Sequence, residues 1–323
     1  MSYTIGSFNL LKLSYQKDDE IRKDYRKIAK IINDENFDVV ALQEVLSDGP
    51  IKNSLLPALG SNKWDYVWKS PNPFSSSSNE GYAFIWRKRR LRLVEAGDNP
   101  KIYNQYSIRE PSFFGGKSGM IGKKGLIRPP FVARFTPAGL PGGSNFEIRL
   151  INTHIIFGRP SHAESFISDT DLSDHELRRC ELKTLSESIY RMVSTKRYGD
   201  NLPAYTILLG DYNLCLCGPG PKIDAEIKID ERRNLLTVQT EKTSLKQTSS
   251  NEEPSKMIDA DHYAHNYDHF SYETGLIEKL GLTASRVDAL NTYYGNDLAA
   301  FRKEVSDHVP IKLVLDLKLH ERA

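Results

Sequence analysis

Short runs of β-branched, aliphatic and aromatic residues recur along the chain between polar stretches. Runs of this length and composition are typical of strands buried on both faces. They lie at residues 3–9, 38–44, 64–68, 81–87, 131–135, 146–154 and 204–210, and the segments 266–270 and 306–315 complete the pattern. The pattern therefore predicts strands along almost the whole chain.

Helical spacing of apolar residues predicts helices between these strands. The spaced positions are Ile21, Tyr25, Ile28, Ile31 and Ile32 within 17–36 and, after the capping-box pair Ser173 and Glu176, the inward positions Leu177, Leu182, Leu185, Ile189 and Met192. Residues 50–60 predict a short helix. Because helices alternate irregularly with many strands, we expect an α/β fold in which helices cover two sheets.

Composition and charge describe a globular protein with a core. The chain has 323 residues, of which 39% are hydrophobic and 27% charged, and its net charge of +2 is too small to indicate a polyanionic partner by itself. The three cysteines include Cys215 and Cys217, only one residue apart, so no disulfide framework is visible and a reducing compartment is expected. No membrane-length apolar segment or leader pattern is present. We expect a cytoplasmic protein, with secretion open if a leader was removed.

Two segments show little periodicity. Residues 100–128 are rich in Gly and Lys, and a polar stretch covers 246–262. Loops of this length are usually functional or disordered. The sequence shows no internal repeat, and we expect a single domain over 1–323 that carries a long loop at 100–128 and a polar insertion at 246–262.

The run at 204–210 stops at Gly210 and is followed by Asp211 and Asn213. In an extended chain, residues two apart point to the same side. A carboxylate beside a carboxamide suits a hard cation or a phosphate. The competing interpretation is a polar turn after the strand, since Asp and Asn are common turn residues.

Other strands end in polar side chains of the same kind. Asn9, Glu44, His154 and the pair Asp307-His308 occupy such positions, and Glu80 and Asp268 flank two more strands. Each taken alone is explained by a turn or a structural hydrogen bond. Their joint occurrence favours one site assembled from most of the chain.

These residues resemble the motifs of the endonuclease/exonuclease/phosphatase superfamily, and within it the deoxyribonuclease I-type nucleases. The matching motifs are Asn9, Gln43-Glu44, Asn152-Thr-His154, Gly210-Asp-Tyr-Asn213, Tyr267-Asp268 and Ser306-Asp-His308, in family order. The resemblance implies a four-layer α/β sandwich with two central, mostly antiparallel β-sheets flanked by helices.

The resemblance also implies roles in phosphodiester hydrolysis. Glu44 would bind Mg²⁺, with Mn²⁺ as an alternative metal and Ca²⁺ as a structural ion, and Asn9 and Asp307 would complete or orient that site. His154 and His308 would be the acid–base groups, oriented by Glu80 and Asp268 respectively. Asp211 and Asn213 would position the water and the phosphate, or hold a second ion.

Substrate binding is where the sequence departs from these nucleases. Arg128 is expected to bind a phosphate, with Arg109 as a competing match, and Lys117, Lys123 and Lys124 in the Gly-rich loop are candidates for backbone contacts or a solvated loop. Nucleases of this type have an arginine after Gln-Glu-Val and a tyrosine two residues before the glutamate of the next motif. Here Leu46 and Ser78 stand at those positions, which argues against gripping of the minor groove.

The favoured function is therefore a Mg²⁺-dependent DNA endonuclease without strong sequence preference, acting as a monomer and not at a membrane. One alternative is a phosphodiesterase or phosphatase for a lipid head group, inositol phosphate or nucleotide, because a fold does not select a substrate. A non-catalytic binding protein is the second alternative. The remaining histidines are interpreted as surface or structural: His162, His175, His262, His265, His269 and His320.

Overall fold

The computed structural model describes residues 2–15, 21–69, 80–94, 128–139, 146–158, 174–197, 202–216, 235–237, 241–246, 262–273, 275 and 280–317. Several predicted features lie outside these ranges: Arg109, Lys117, Lys123, Lys124, Ser78, His162, His320 and nearly all of the two insertions.

Twelve strands are present in these ranges. They are β1 (Ser2–Leu13), β2 (Val39–Val45), β3 (Trp64–Lys69), β4 (Gly81–Arg87), β5 (Leu91–Leu93), β6 (Phe131–Pro137), β7 (Glu147–His154), β8 (Ala204–Asp211), β9 (Leu235–Thr237), β10 (Asp268–Glu273), β11 (Leu280–Arg286) and β12 (Ile311–Leu317). They form one sheet in the order β11-β12-β1-β2-β4-β3 and a second in the order β5-β6-β7-β8-β10-β9. Only β1–β2 and β7–β8 pair in parallel, which confirms the expected mostly antiparallel sheets.

The helices are α1 (Tyr25–Asp34), α2 (Ile51–Leu55 continuing as Leu56–Leu59), α3 (Asp174–Thr184 continuing as Leu185–Tyr190 and Arg191–Thr195), α4 (Ala289–Tyr294) and α5 (Leu298–Glu304). The α1 helix begins later than the periodicity predicts because Asp24 caps it, its carboxylate accepting from the backbone N–H groups of Arg26 and Lys27. None of the helices in the described ranges has the length and apolar character needed to cross a membrane.

Three apolar layers hold these elements together. One lies between the first sheet and α1, α2, α4 and α5, one between the two sheets, and one between the second sheet and α3. Aromatic rings fill the middle layer, where the Phe84 ring packs against Phe131 and Phe135 with centroids 5.3 and 5.9 Å away. The order helix, sheet, sheet, helix confirms the predicted four-layer sandwich.

One inward position predicted for α3 is wrong. Met192 is 40% exposed, whereas Tyr190 and Val193 are buried. The segment Leu185–Tyr190 is π-helical. A wider turn shifts every later side chain around the helix axis, so the regular period used for the prediction no longer holds at Met192.

The parallel pairs bring the carboxyl ends of β1, β2, β7 and β8 to one edge of the sandwich. In the second sheet, Asp211 pairs with His154 on one side and with Asp268 on the other. Gly210, just before this junction, has φ +140°, and a Cβ there would lie 1.8 Å from the carbonyl oxygen of Thr153. Strands β7 and β8 therefore approach so closely that only glycine fits.

We expect Gly210→Ala to lower the free energy of unfolding by at least ~2 kcal/mol, because the added methyl must displace a neighbouring backbone and φ is unfavourable for alanine. Urea denaturation measures this. Gly281→Ala is the matched control, since its Cβ would meet the Asp316 Cβ at 3.4 Å, an ordinary contact. Equal effects of the two substitutions would contradict the tight approach at Gly210.

Candidate active site

The amide of Asn9 lies at the centre of the polar edge and touches both sheets. Its Nδ2 donates to Glu44 Oε1 at 2.9 Å and to Asp211 Oδ2 at 3.0 Å, while its Oδ1 accepts from the Leu11 N–H. Asn9 is 1% exposed. Two carboxylates predicted from separate strands are therefore joined by a single buried nitrogen.

Glu44 lies on one side of this bridge. Its φ is +57°, which turns the chain at the end of β2, and its second oxygen accepts from the Lys12 N–H at 3.1 Å. Burial raises the pKa of Glu44, His154 lowers it, and the charges of Glu80 and Asp307 raise it again. Carboxylates are thus crowded around Glu44.

The group around Glu44 fits a divalent cation. Ligand atoms of Glu44, Glu80 and His154 lie within 4.8 Å of one another. Asp307 Oδ1 is buried and has no hydrogen-bond partner among the described residues, and its other oxygen is 3.5 Å from Arg302 Nη2. A hard cation accepts carboxylate oxygens and relieves their mutual repulsion. Glu44 would be the central ligand, with Asp307 and the Asn9 amide beside it.

His154 is held by a chain of charged contacts. Its Nδ1 is 3.1 Å from Glu80 Oε2, and Arg128 Nη2 is 2.9 Å from the same oxygen. Burial alone would raise the pKa of Glu80, but the hydrogen bond and charge of His154 and the charge of Arg128 lower it overall. Glu80 is therefore a carboxylate at neutral pH, as orienting an imidazole requires.

His308 has the second, shorter contact of this type. Its Nδ1 lies 2.7 Å from Asp268 Oδ2, and both residues are buried. Burial alone would lower the pKa of His308, but the charges of Asp268 and Asp211 and the hydrogen bond to Asp268 raise it well above its ordinary value. This imidazole is stabilised as a cation.

Both imidazoles face Asp211. Its Oδ2 is 3.6 Å from His154 Nε2 and 3.7 Å from His308 Nε2. Burial raises the pKa of Asp211, and the charges of the two histidines lower it. Asp211, Asp268 and His308 form a second compact group of ligand-type atoms, although the short contact already occupies one nitrogen of His308.

Asn213 is placed by a turn, so the extended-chain argument for this pair is wrong. Its φ is +51°, and its backbone N–H donates to Asp211 Oδ1 at 2.9 Å. Its Nδ2 donates to the Ile155 carbonyl at 2.7 Å. Asp and Asn favour such turns because the side chain bonds to the backbone two residues on. The turn fixes Asp211 in front of the two histidines.

Buried polar side chains next to the site form hydrogen bonds that hold its backbone. Gln43 Nε2 donates across the sheets to Asn152 Oδ1 at 2.7 Å, and Asn152 in turn donates to the Leu42 carbonyl. Ser306 donates to the Asn9 carbonyl at 2.6 Å and accepts from the His308 N–H at 3.1 Å. The motif residues without a predicted chemical role thus hold the backbone of those that have one.

Two further residues were missed by the sequence analysis. Lys69 Nζ is buried and donates to the carbonyls of Pro129 and Pro130, directly after Arg128, and burial lowers the pKa of Lys69 to about 8. The Tyr82 hydroxyl accepts from the His154 N–H. Tyr82 lies inside a predicted strand, where nothing distinguishes it from a core residue. Lys69 is the polar residue directly after the run at 64–68, so the strand-end signal could have found it.

Among the described residues, the structure brings together the predicted set Asn9, Glu44, Glu80, Arg128, His154, Asp211, Asn213, Asp268, Asp307 and His308 at one edge. Of the histidines interpreted as structural or surface groups, His175, His262, His265 and His269 are described, and none of them takes part in these contacts. His269 is buried with its Nε2 near the Leu214 and Asn266 carbonyls, and His175 is exposed on α3.

Comparisons with known proteins agree with this geometry. The chain is similar over 99% of its length to 99% of a solved endonuclease/exonuclease/phosphatase family protein from Bacteroides thetaiotaomicron, with 18% identity and a TM-score of 0.53. A Bacteroides vulgatus protein of the same description gives 15% identity and a TM-score of 0.54 over 98% and 100% of the two chains. A mannosyl-6-phosphatase from Bacteroides thetaiotaomicron gives 16% and 0.50 over 97% and 99%. Identities this low show the fold alone.

A search of curated proteins found no match. The sequence profile of the Endonuclease/Exonuclease/phosphatase family, in contrast, matches residues 6–308, which span every motif of the candidate site. This chain therefore belongs to the endonuclease/exonuclease/phosphatase family of metal-dependent phosphoesterases.

Proposed function

We propose that this family member is a Mg²⁺-dependent phosphodiester hydrolase that cleaves DNA. The observation that carries the proposal is the pair of imidazoles at Asp211. Each has its Nδ1 next to a buried or half-buried carboxylate and its Nε2 within 3.7 Å of one Asp211 oxygen. A carboxylate at Nδ1 fixes the tautomer and leaves Nε2 for proton transfer.

The two histidines then have different roles. With Glu80 next to its Nδ1, His154 accepts a proton at Nε2 from the attacking water. His308, kept protonated by Asp268, gives its Nε2 proton to the departing oxygen. A bond forms between the water oxygen and phosphorus, the ester P–O bond breaks, and each transferred proton has a named acceptor. Asp211 and the Asn213 turn position the phosphate between the rings.

The cation proposed at Glu44 is Mg²⁺, because the neighbouring Glu80 and Asp307 supply further carboxylate oxygens. When bound, Mg²⁺ neutralises charge on a phosphate oxygen. Arg128 is the proposed second source of positive charge. Its Nη2 lies 2.9 Å from the Glu80 oxygen that also contacts His154, so its charge is close to the proposed phosphate position.

DNA is favoured as substrate by the motifs that resemble those of deoxyribonuclease I-type nucleases. Leu46, in place of a groove-entering arginine, argues against strong dependence on the duplex minor groove. The second candidate is hydrolysis of a small phosphoester, supported by the mannosyl-6-phosphatase of the same fold. Incubation with linear double-stranded DNA and single-stranded DNA, and separately with sugar and nucleotide phosphates, shows whether DNA or a small phosphoester is hydrolysed.

Activity on any of these phosphoesters is expected to disappear in excess chelator and to return when Mg²⁺ is added in excess of it. The reason is that Glu44 and Asp307 form an oxygen-rich site whose carboxylates repel one another without a cation. Phosphate release with and without EDTA measures the effect. Full activity in excess EDTA would contradict a metal-dependent mechanism.

His154→Ala and His308→Ala are each expected to reduce kcat by at least ~10²-fold, the lower end of what an acid–base group contributes, with a much smaller change in substrate affinity. Steady-state kinetics at saturating Mg²⁺ measures both quantities. His175→Ala removes an exposed histidine on α3 and serves as the matched control. A folded His154 or His308 variant with normal kcat would assign that histidine a structural role.

Asp268→Asn is expected to give a pH-dependent loss of stability. A pKa raised on folding means that the folded state binds the His308 proton more tightly, so the contribution is complete below the ordinary pKa of ~6.5 and is lost as pH rises through the raised value. Breaking a buried pair costs ~3–5 kcal/mol at the low-pH limit. Denaturation of wild type and variant in EDTA, from pH 6 upward, measures the difference.

Asp38→Asn is the control for this experiment. Asp38 pairs with Arg90, whose guanidinium keeps its charge at every pH measured. The loss of stability in Asp38→Asn should therefore not change with pH. If the Asp268→Asn difference is equally constant, His308 is not held as a cation by Asp268.

A further inference from the structure

Phe157 is a large apolar side chain that is exposed to solvent close to the candidate active site. It is 60% exposed, more than any other large hydrophobic residue in the described ranges. It lies three residues after His154, in a segment whose Ile155 N–H donates to the Asp211 carbonyl and whose Ile155 carbonyl accepts from Asn213. Its backbone is therefore tied to the catalytic edge.

Other rings extend this exposed surface. The Tyr267 ring meets Phe157 edge to face, with centroids 6.3 Å apart, and the His265 ring stacks on Tyr267 at 4.7 Å and 18°. Tyr267 is half-buried and His265 is exposed. Tyr267 directly precedes Asp268, so the row of three rings begins beside the His308 pair. We call Phe157, Tyr267 and His265 the aromatic row.

The middle residue of the aromatic row, Tyr267, is held by backbone hydrogen bonds. The Tyr267 N–H donates to the Thr243 hydroxyl and its carbonyl accepts from the Tyr212 N–H at 2.8 Å. Tyr212 follows Asp211 and is fully buried. A ring whose backbone is held in this way gives a planar ligand a surface that does not have to be ordered on binding.

A cation lies next to the row. The Arg178 guanidinium sits over the Phe157 ring, 4.9 Å from its centroid. The Arg178 side chain is only partly buried. Helix α3, which carries Arg178, is also linked to the site strand, since Ile156 N–H contacts Glu181 Oε2 at 3.4 Å. The surface thus combines exposed rings with a donor suited to an anion.

We propose that the aromatic row stacks an unpaired nucleobase of a single-stranded nucleic acid and that Arg178 binds a neighbouring phosphate. The proposal rests on the proposed phosphodiester hydrolysis at the adjacent site and specifies its substrate as a single strand. Aromatic rings beside a cation are the usual means of holding single strands, because every base has a face that stacks. Bases inside a duplex already stack on one another and do not reach such rings.

The test is a binding measurement in excess EDTA, where no cleavage is expected. Two short single-stranded oligonucleotides of equal length are compared, one with bases and one with tetrahydrofuran abasic units at every position. Phe157→Ala should weaken binding of the base-containing strand by about 5- to 150-fold, the effect of losing one base–aromatic stack, and leave the abasic strand unchanged. Phe157→Tyr should restore most of the affinity.

Met192→Ala is the matched control, because Met192 is a similarly exposed apolar residue outside the site, and it should change neither affinity. Arg178→Gln should weaken both strands and lower the salt slope of binding by about one unit. If Phe157→Ala has no effect, or affects both strands equally, the stacking proposal is wrong. If the salt slope of binding is unchanged in Arg178→Gln, the proposed contact between Arg178 and a phosphate is wrong.

Hydrolysis with Mg²⁺ is measured separately, so that the two proposals fail independently. Base-dependent binding without hydrolysis of the strand retains the aromatic row and overturns the proposed function. Hydrolysis whose KM is insensitive to Phe157→Ala overturns the aromatic row and retains the function. Absence of both binding and hydrolysis overturns both.

Discussion

The hydrogen bonds of one buried amide join the two sheets at the point where the chemistry is expected. Asn9 Nδ2 donates to Glu44 in its own sheet and to Asp211 in the other. A bond to a carboxylate contributes ~1.5–3 kcal/mol, and losing the donor leaves the partly buried Glu44 and the buried Asp211 without it. The separation of the proposed metal ligand from the proposed phosphate-positioning turn is therefore set by two hydrogen bonds at one amide nitrogen.

The polar contacts between the sheets also specify their alignment. The middle layer is otherwise apolar and aromatic, and apolar packing tolerates small displacements better than hydrogen bonds do. Gln43 and Asn152 meet across this layer at 2.7 Å. A shift of one residue in either strand would point the amide of that strand to the opposite face and break the contact. The chain thus uses apolar area for stability and a few amides for register.

Much of the fold could be predicted from the sequence because it depends on local pattern. The run ending at Gly210 is a strand, and the polar residues after it do lie at one edge. The pairing of Glu80 with His154 came from the family resemblance, since contacts between residues far apart in the chain leave no trace in local periodicity. Physical details outside the pattern were missed: the π-helical segment that exposes Met192 and the positive φ at Asn213.

The hydrogen bond between Ser306 and the carbonyl of Asn9 joins residues 297 positions apart in the sequence. Strand β1, made first, lies between β2 and β12, the latter made last. A ribosome-bound chain therefore holds Asn9, Glu44 and His154 long before His308 exists. In the proposed mechanism proton transfer at the leaving oxygen depends on His308, so a nascent chain would lack the complete site until residue 308 has been synthesised.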